Sequence, residues 1–217
     1  MKAKLKLPSL DDTMLAVTGA VLCGLGQGFM NHGSQGMDAV GIFYDGIRNT
    51  LSLSPDQIGT ASYIVCFALS VFLWFAARKY VSFGSIIYIV VYGAFANWGT
   101  LLMEWLVPGD GLIARSAVAF LGLALLIVGL SVYIAIDIGV DAFTGVVLWL
   151  TDITRKKMGI VKFIFDLSLG VIGFILGGKL GWFTFVAIPV SGPAIARLTK
   201  RFQGLYFKHK IKLAAKE

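Results

Sequence analysis

The chain has 217 residues, 57% of them hydrophobic and only 14% charged, with a mean hydropathy of +0.81 and a formal net charge of +7. Soluble domains carry nearer a quarter charged residues, so the composition excludes an ordinary soluble domain and points to a bilayer, whose core takes ~20 apolar residues per helix. The positive balance is no nucleic-acid footprint, because the basic residues gather at the ends: Lys2, Lys4 and Lys6 in front, and Arg197, Lys200, Arg201, Lys208, Lys210, Lys212 and Lys216 behind.

Residues 1–12 read as a cytoplasmic N-terminal segment in which Asp11 and Asp12 interrupt the basic region. The first apolar run, Thr13–Met37, resembles a lipoprotein signal up to Cys23. Leu22 is too large for the residue before such a cysteine, so the run is expected to stay as a span. Its exit is polar, with Gln27, Asn31, His32, Ser34 and Gln35 following Gly24, Gly26 and Gly28. Gln27 and Asn31 are candidate hydrogen-bonding groups for a solute, while the glycines equally suit close helix contact. His32 reads as an interfacial loop residue.

Next comes "GSQGMDAV", Gly33 to Val40, which opens a short amphipathic segment, Met37–Leu51. At 1.5 Å per residue such a helix is too short to cross the membrane. Asp38 stands at its N-terminus, where a carboxylate caps free N–H groups and meets the positive end of the helix dipole. Two further spans, Gln57–Ala77 and Tyr80–Met103, flank Arg78 and Lys79. Asn97 interrupts the second of them and is either a cavity-lining group or a helix–helix hydrogen bonder. Trp105 reads as an interfacial belt residue, and "PGDG", Pro108 to Gly111, lies outside if the short segments do not cross.

The second half begins with the span Ser116–Ile136, followed by "DIGVDAFT", Asp137 to Thr144, and a second short segment, Val140–Ile153, with Asp141 at its N-terminus. The run Gly159–Gly178 is apolar apart from Lys162 and Asp166, which lie four residues apart on one helix face. A carboxylate at helix centre costs ~2.5–3.5 kcal/mol on insertion scales. Asp166 is therefore a candidate coupling carboxylate or, with Lys162, a structural pair. The last span, Leu180–Ala196, contains Pro189, Gly192 and Pro193, which predict a kink or break. Residues 200–217 form a basic tail.

The two halves repeat. Shifted by 103 positions, Gly19, Leu22, Gly26, Gly36, Asp38 and Ala39 fall on Gly122, Leu125, Gly129, Gly139, Asp141 and Ala142. Shifted by 100, Gly59, Lys79 and Phe83 fall on Gly159, Lys179 and Phe183. If the short segments do not cross, residues 13–107 and 111–199 are each three-span repeats of opposite orientation. Arg78, Lys79, Arg155, Lys156, Lys157 and the tail then share the cytoplasmic side with the N-terminus, as the positive-inside rule favours. The expected fold is all-α: a polytopic membrane protein of six transmembrane helices in two inverted three-helix repeats, with half-helices over 37–51 and 140–153. Sites in such proteins lie near the midplane between the repeats.

A glycine-rich first span, a Gly-x-Asp loop opening a short amphipathic segment, and a second copy of both resemble the bacterial YczE/YyaS/YitT family of membrane proteins. The likeness runs from about Val17 to Arg197, with "FGSIIYIVVYGAFANWG" (Phe83 to Gly99) where that family carries a Gly-rich third span. Its loop often has Pro-Trp before the aspartate, where this chain has Met37 and Val140. The resemblance implies a duplicated integral membrane protein associated with transport, and no particular substrate.

No phosphate loop, His/Cys metal spacing or nucleophile elbow occurs, so the sequence points to no enzyme, no cofactor and no metal. The expected function is a small-solute transporter or channel of the cytoplasmic membrane, both termini inside, tilted towards a cationic or zwitterionic solute. Asp38, Asp141, Gln27, Asn31 and Asn97 are the expected solute-binding residues. The expected partners are the bilayer, a small solute and further copies of the chain. The alternative is a non-transporting scaffold, or a ligand-capturing subunit of a larger transport complex.

Overall fold

A computed structural model describes residues 9–214 apart from 110 and 137, with side chains except at 83 and 207–214. Lys2, Lys4, Lys6 and Lys216, and Asp137 of the second motif, lie outside the described residues, as do the side chains of Lys208, Lys210 and Lys212. The described residues form eight α-helices and one short 3-10 turn, Arg78–Tyr80, and no strand. In chain order they are α1 (Leu10–Gly33), α2 (Ala39–Thr50), α3 (Ile58–Ala76), α4 (Phe83–Leu106), α5 (Leu112–Ile136), α6 (Ala142–Thr154), α7 (Met158–Ile175) and α8 (Thr184–Ala214). Five of them, α1, α3, α4, α5 and α7, are long and apolar enough to cross a membrane. The chain is a multi-pass helical membrane protein.

The glycine-rich first span owes its composition to its place at the centre. Gly19, Gly26 and Gly33 recur every seven residues on one face of α1 and meet Gly129, Gly122 and Ala119 of α5. Gly24 and Gly28, four residues apart on the opposite face, meet Tyr92, Ala96 and Thr100 of α4. Small residues let helix backbones approach closely where lipid supplies no hydrophobic drive. The direction of these contacts makes α1 antiparallel to α5 and parallel to α4. Bulky apolar side chains point outward around this core, among them Phe75 (83% exposed), Ile113 (87%), Phe163, Ile175 and Phe185. An apolar exterior is what hydrocarbon solvates.

Local signals set the helix ends. Ser9 caps α1, its hydroxyl accepting from the Asp12 N–H at 3.3 Å. The chain leaves α1 through Ser34 (φ 52°) and Gly36 (φ 100°), both left-handed. A Cβ at Gly36 would also stand 2.7 Å from the Gly181 nitrogen. Glycine is therefore required there twice over, by backbone angle and by space.

The chain then turns back into the bundle, and α2 and α6 run out from its interior in opposite directions. α2 ends against the α7–α8 turn, where the Asn49 amide donates to the Gly177 carbonyl at 2.5 Å. Within α2, Asp45 is fully buried and Arg48 is 4% exposed. The Arg48 guanidinium donates to Asp45 Oδ1 from Nε (2.9 Å) and Nη2 (2.5 Å), and Asp45 Oδ2 accepts from the Lys179 N–H at 2.7 Å. α6 ends at the other side of the bundle, against the turn between α3 and α4. There Asp152 accepts from the Lys79 ammonium and the Tyr80 hydroxyl, which together hold its carboxyl below the usual range.

The last apolar run differs from the other five. The apolar part of α8 before Arg197 is roughly 13 residues, about 20 Å long, against a hydrocarbon core of ~30 Å. Its charges Arg197, Lys200 and Arg201 follow at once, so α8 does not stand with the five apolar helices. The helix also continues through Pro189 and Pro193 without a break. Neither proline has an N–H, so the carbonyls of Phe185 and Pro189 lose their helical donors. Ser191 Oγ, in the same stretch, donates to the Ile188 carbonyl at 3.3 Å.

Candidate functional site

Both short helices begin with a capping aspartate. The Asp38 carboxylate accepts from the Gly41 N–H at 3.2 Å, and the Asp141 carboxylate from the Thr144 N–H at 3.1 Å. Each cap uses one carboxylate oxygen for the backbone. The two helix N-termini, reaching in from opposite sides of the bundle, line one cavity of about 90 Å³. Their positive dipole ends converge on the same space.

Five of the residues expected from the sequence meet there: Asp38, Asp141, Gln27, Asp166 and Lys162. Gln27 is 1% exposed; its Oε1 accepts from the Tyr92 hydroxyl at 3.1 Å and its amide donates to Met37 Sδ at 3.2 Å. Lys162 pairs with Asp166, its ammonium 2.9 Å and 3.1 Å from the two carboxylate oxygens. Asp38 and this pair line the same cavity. α8 closes one wall with Ile188, Ser191, Gly192 and Ile195, the stretch whose backbone ladder the prolines interrupt.

Asn31 and Asn97 stand elsewhere. Asn31 donates to the Pro55 carbonyl at 2.8 Å and to Thr100 Oγ1 at 3.2 Å. It lines a second, more open cavity of about 270 Å³ at the end of the bundle where α1 finishes, with His32, Arg48, Glu104, Arg115 and Lys179. Asn97 accepts from the Gly59 N–H at 2.6 Å and donates to Thr60 Oγ1 at 3.1 Å, tying α4 to α3. His32 contacts the Val107 carbonyl at 3.2 Å.

The aromatic lining is what the sequence reading missed. Tyr44, Tyr88, Tyr92, Phe143 and Phe165 all border the cavity. Their rings form a continuous series: Phe165–Phe143 at 6.2 Å, Phe143–Tyr44 at 5.6 Å, Tyr44–Tyr92 at 6.1 Å and Tyr92–Tyr88 stacked at 5.2 Å. The Tyr44 hydroxyl lies 3.1 Å from Cys66 Sγ. One weak signal existed, since Tyr88 and Tyr92 are four residues apart and therefore share a face of α4. Among the described residues no group of three His, Cys, Asp or Glu is placed to hold a metal ion.

Apolar helices around an interior cavity lined with carboxylates and rings define a multi-pass membrane protein with a polar site inside it. The chain belongs to a family of unknown function, DUF6198, whose profile matches residues 10–200 and so takes in both short helices and the cavity. Neither a curated protein nor a solved structure matches the chain.

Proposed function

We propose that the protein is a small-solute transporter or channel of the cell membrane, with a midplane site between two inverted three-helix repeats and a cationic or zwitterionic solute. The observation that carries this is the shared cavity: two half-helices from opposite sides bring Asp38 and Asp141 to one space beside Asp166. Broken helices meeting around a central site are a recurrent transporter layout. In this reading Leu180–Ala196, the start of α8 with the turn before it, supplies the sixth span, a short one met by local thinning of the bilayer.

Contacts between the halves support the inverted relation. Gly19 meets Gly129, and Gly26 meets Gly122; the 103-residue shift carries Gly19 to Gly122 and Gly26 to Gly129. Exchanging the halves thus turns one contact into the other. The same exchange turns the Gly36–Thr184 approach into the Gly139–Gly84 approach. Antiparallel contacts that interchange in this way are the mark of a two-fold axis in the membrane plane. The cations Arg78, Lys79, Arg155, Lys156, Lys157, Arg197, Lys200 and Arg201 lie towards the end where α1 begins, which favours cytoplasmic termini. The repeated Gly and Asp positions also support a kinship with the YczE/YyaS/YitT family.

A solute-library thermal-shift screen on detergent-purified protein finds a binder, since a ligand of the native state raises its melting temperature. Flux of that binder into liposomes containing the purified protein is then measured with Asp38→Asn, Asp141→Asn and both. Asparagine ranks with aspartate as an N-cap, so melting of the unliganded variants is expected to change little. Flux is expected to fall by about ten- to a hundredfold per carboxylate. Unchanged flux in the double variant would sink the assignment. Binding without flux would instead favour the ligand-capturing subunit.

A further inference from the structure

We infer that the cavity takes an aliphatic ammonium ion bearing methyl or other small alkyl groups, in preference to a metal cation or a zwitterion. This rests on the cavity being the solute site and names the class of solute. Four features converge on it.

The walls offer rings more than oxygen ligands. The Tyr92 hydroxyl is engaged with Gln27 and the Tyr44 hydroxyl with Cys66, so what these residues present to the cavity is chiefly their π-systems. An ammonium beside aromatic rings is attracted by their quadrupoles, and most strongly when desolvated. Charge comes second. Asp38, Asp141 and Asp166 line the space against one ammonium, Lys162, which is already paired with Asp166. A cation meets carboxylate in excess; the carboxylate of a zwitterion meets no uncommitted ammonium or guanidinium, and the two helix N-termini are already capped by Asp38 and Asp141.

Third, these carboxylates do not converge as a metal requires. A hard cation gathers oxygens at about 2.0–2.6 Å, and among the described residues no three acidic, His or Cys side chains are so placed. An organic cation, wider and softer, is served by charges spread around it. Size is the fourth feature. A cavity of ~150 Å³ holds benzene, so about 90 Å³ suits a cation of roughly five non-hydrogen atoms or fewer.

Tetramethylammonium chloride is the probe, compared by isothermal titration calorimetry and thermal shift with methylammonium, potassium and sodium chlorides and with glycine betaine, at constant ionic strength. Tetramethylammonium and methylammonium are expected to bind. Potassium, sodium and betaine are expected to give no saturable heat or shift, and tetrabutylammonium to be excluded by size. Tyr92→Phe keeps the ring and should bind within about threefold of wild type, whereas Tyr92→Leu should weaken binding by on the order of tenfold. Tyr88→Leu serves as the second variant if Tyr92→Leu does not fold; if both unfold, the ranking of ligands decides.

Potassium or sodium binding without tetramethylammonium would overturn the inference, as would betaine binding as tightly as tetramethylammonium. Equal loss in Tyr92→Phe and Tyr92→Leu would also overturn it, by assigning the role to the hydroxyl. A different library solute, bound by wild type and lost in the Asp38→Asn/Asp141→Asn protein, would remove the ammonium assignment while leaving the acidic solute site standing.

Discussion

Asp45→Ala is expected to destabilise the protein by ~3–5 kcal/mol, enough to prevent its recovery as a folded monodisperse species in detergent. The reason is what it leaves behind. Arg48 is 4% exposed and directs Nε and Nη2 at Asp45. Without the carboxylate, a guanidinium is buried with its charge uncompensated, and the Lys179 N–H loses its acceptor. Replacing both charges, as Asp45→Leu with Arg48→Met, removes the desolvation cost along with the attraction. Such swaps are commonly neutral or stabilising, so the double variant should melt far closer to wild type than Asp45→Ala does. Circular-dichroism melting and size-exclusion profiles of the three proteins measure this. If Asp45→Ala melts alongside wild type, the pair is not the anchor of α2.

Gly26→Val at the α1–α5 crossing should be comparably severe. Even a methyl group at Gly26 would stand 2.5 Å from the Gly122 carbonyl oxygen and 2.6 Å from the Leu126 nitrogen. Both obstacles are backbone, so no side-chain rotation relieves them and the helices must separate. Overfilling a tight contact costs about 1–3 kcal/mol and sometimes more; a branched side chain against backbone belongs at the upper end. Gly122→Val meets the Gly26 carbonyl at 2.6 Å from the other side. Because the two share one contact, the combined variant should lose less than the sum of the single losses. The control is Gly170→Ala on α7, where nothing lies within 4 Å of an added Cβ. There alanine should stabilise by up to ~1 kcal/mol through helix propensity. Equal melting of Gly26→Val and Gly170→Ala proteins would refute the close crossing.

These contrasts mark where sequence reading reaches and where it stops. The apolar runs and the two short helices are legible because their causes are local. Asp38 caps a nitrogen three residues ahead, Asp141 does the same, and a helix too short to cross is a matter of counting. The pairing of Asp38 with Asp141 is legible in the recurring Gly-x-Asp-Ala pattern, whereas Gln27, Lys162 and Asp166 join them only in the fold. Tyr44, Tyr88 and Tyr92 are different. Aromatic residues inside apolar runs look alike whether they face lipid, core or cavity, and only the tertiary arrangement separates Tyr92 from exposed Trp105. Asp45 and Arg48, three apart on a short amphipathic helix, carry the pattern of a solvated face but are buried against the α7–α8 turn. Asn31 and Asn97 show the converse: the sequence marks them as polar groups in apolar surroundings, and only the fold shows that they bond Pro55, Gly59 and neighbouring threonines away from the cavity of Asp38 and Asp141.

The seating of α2 against the α7–α8 turn also sets a timetable for biogenesis. Asp45 takes its last hydrogen bond from a nitrogen 134 residues further along the chain. At about 5–20 residues per second, the ribosome needs roughly 7–27 s to reach it. For that interval the nascent first half holds Asp45 and Arg48 with no turn to cover them, and Gly46 faces no Gly173. α6 meets no such delay, because Lys79 and Tyr80 already exist when Asp152 is made. The first half therefore waits for the second, and a chain stopped before residue 179 presents an unfinished α2 to whatever quality control patrols the membrane.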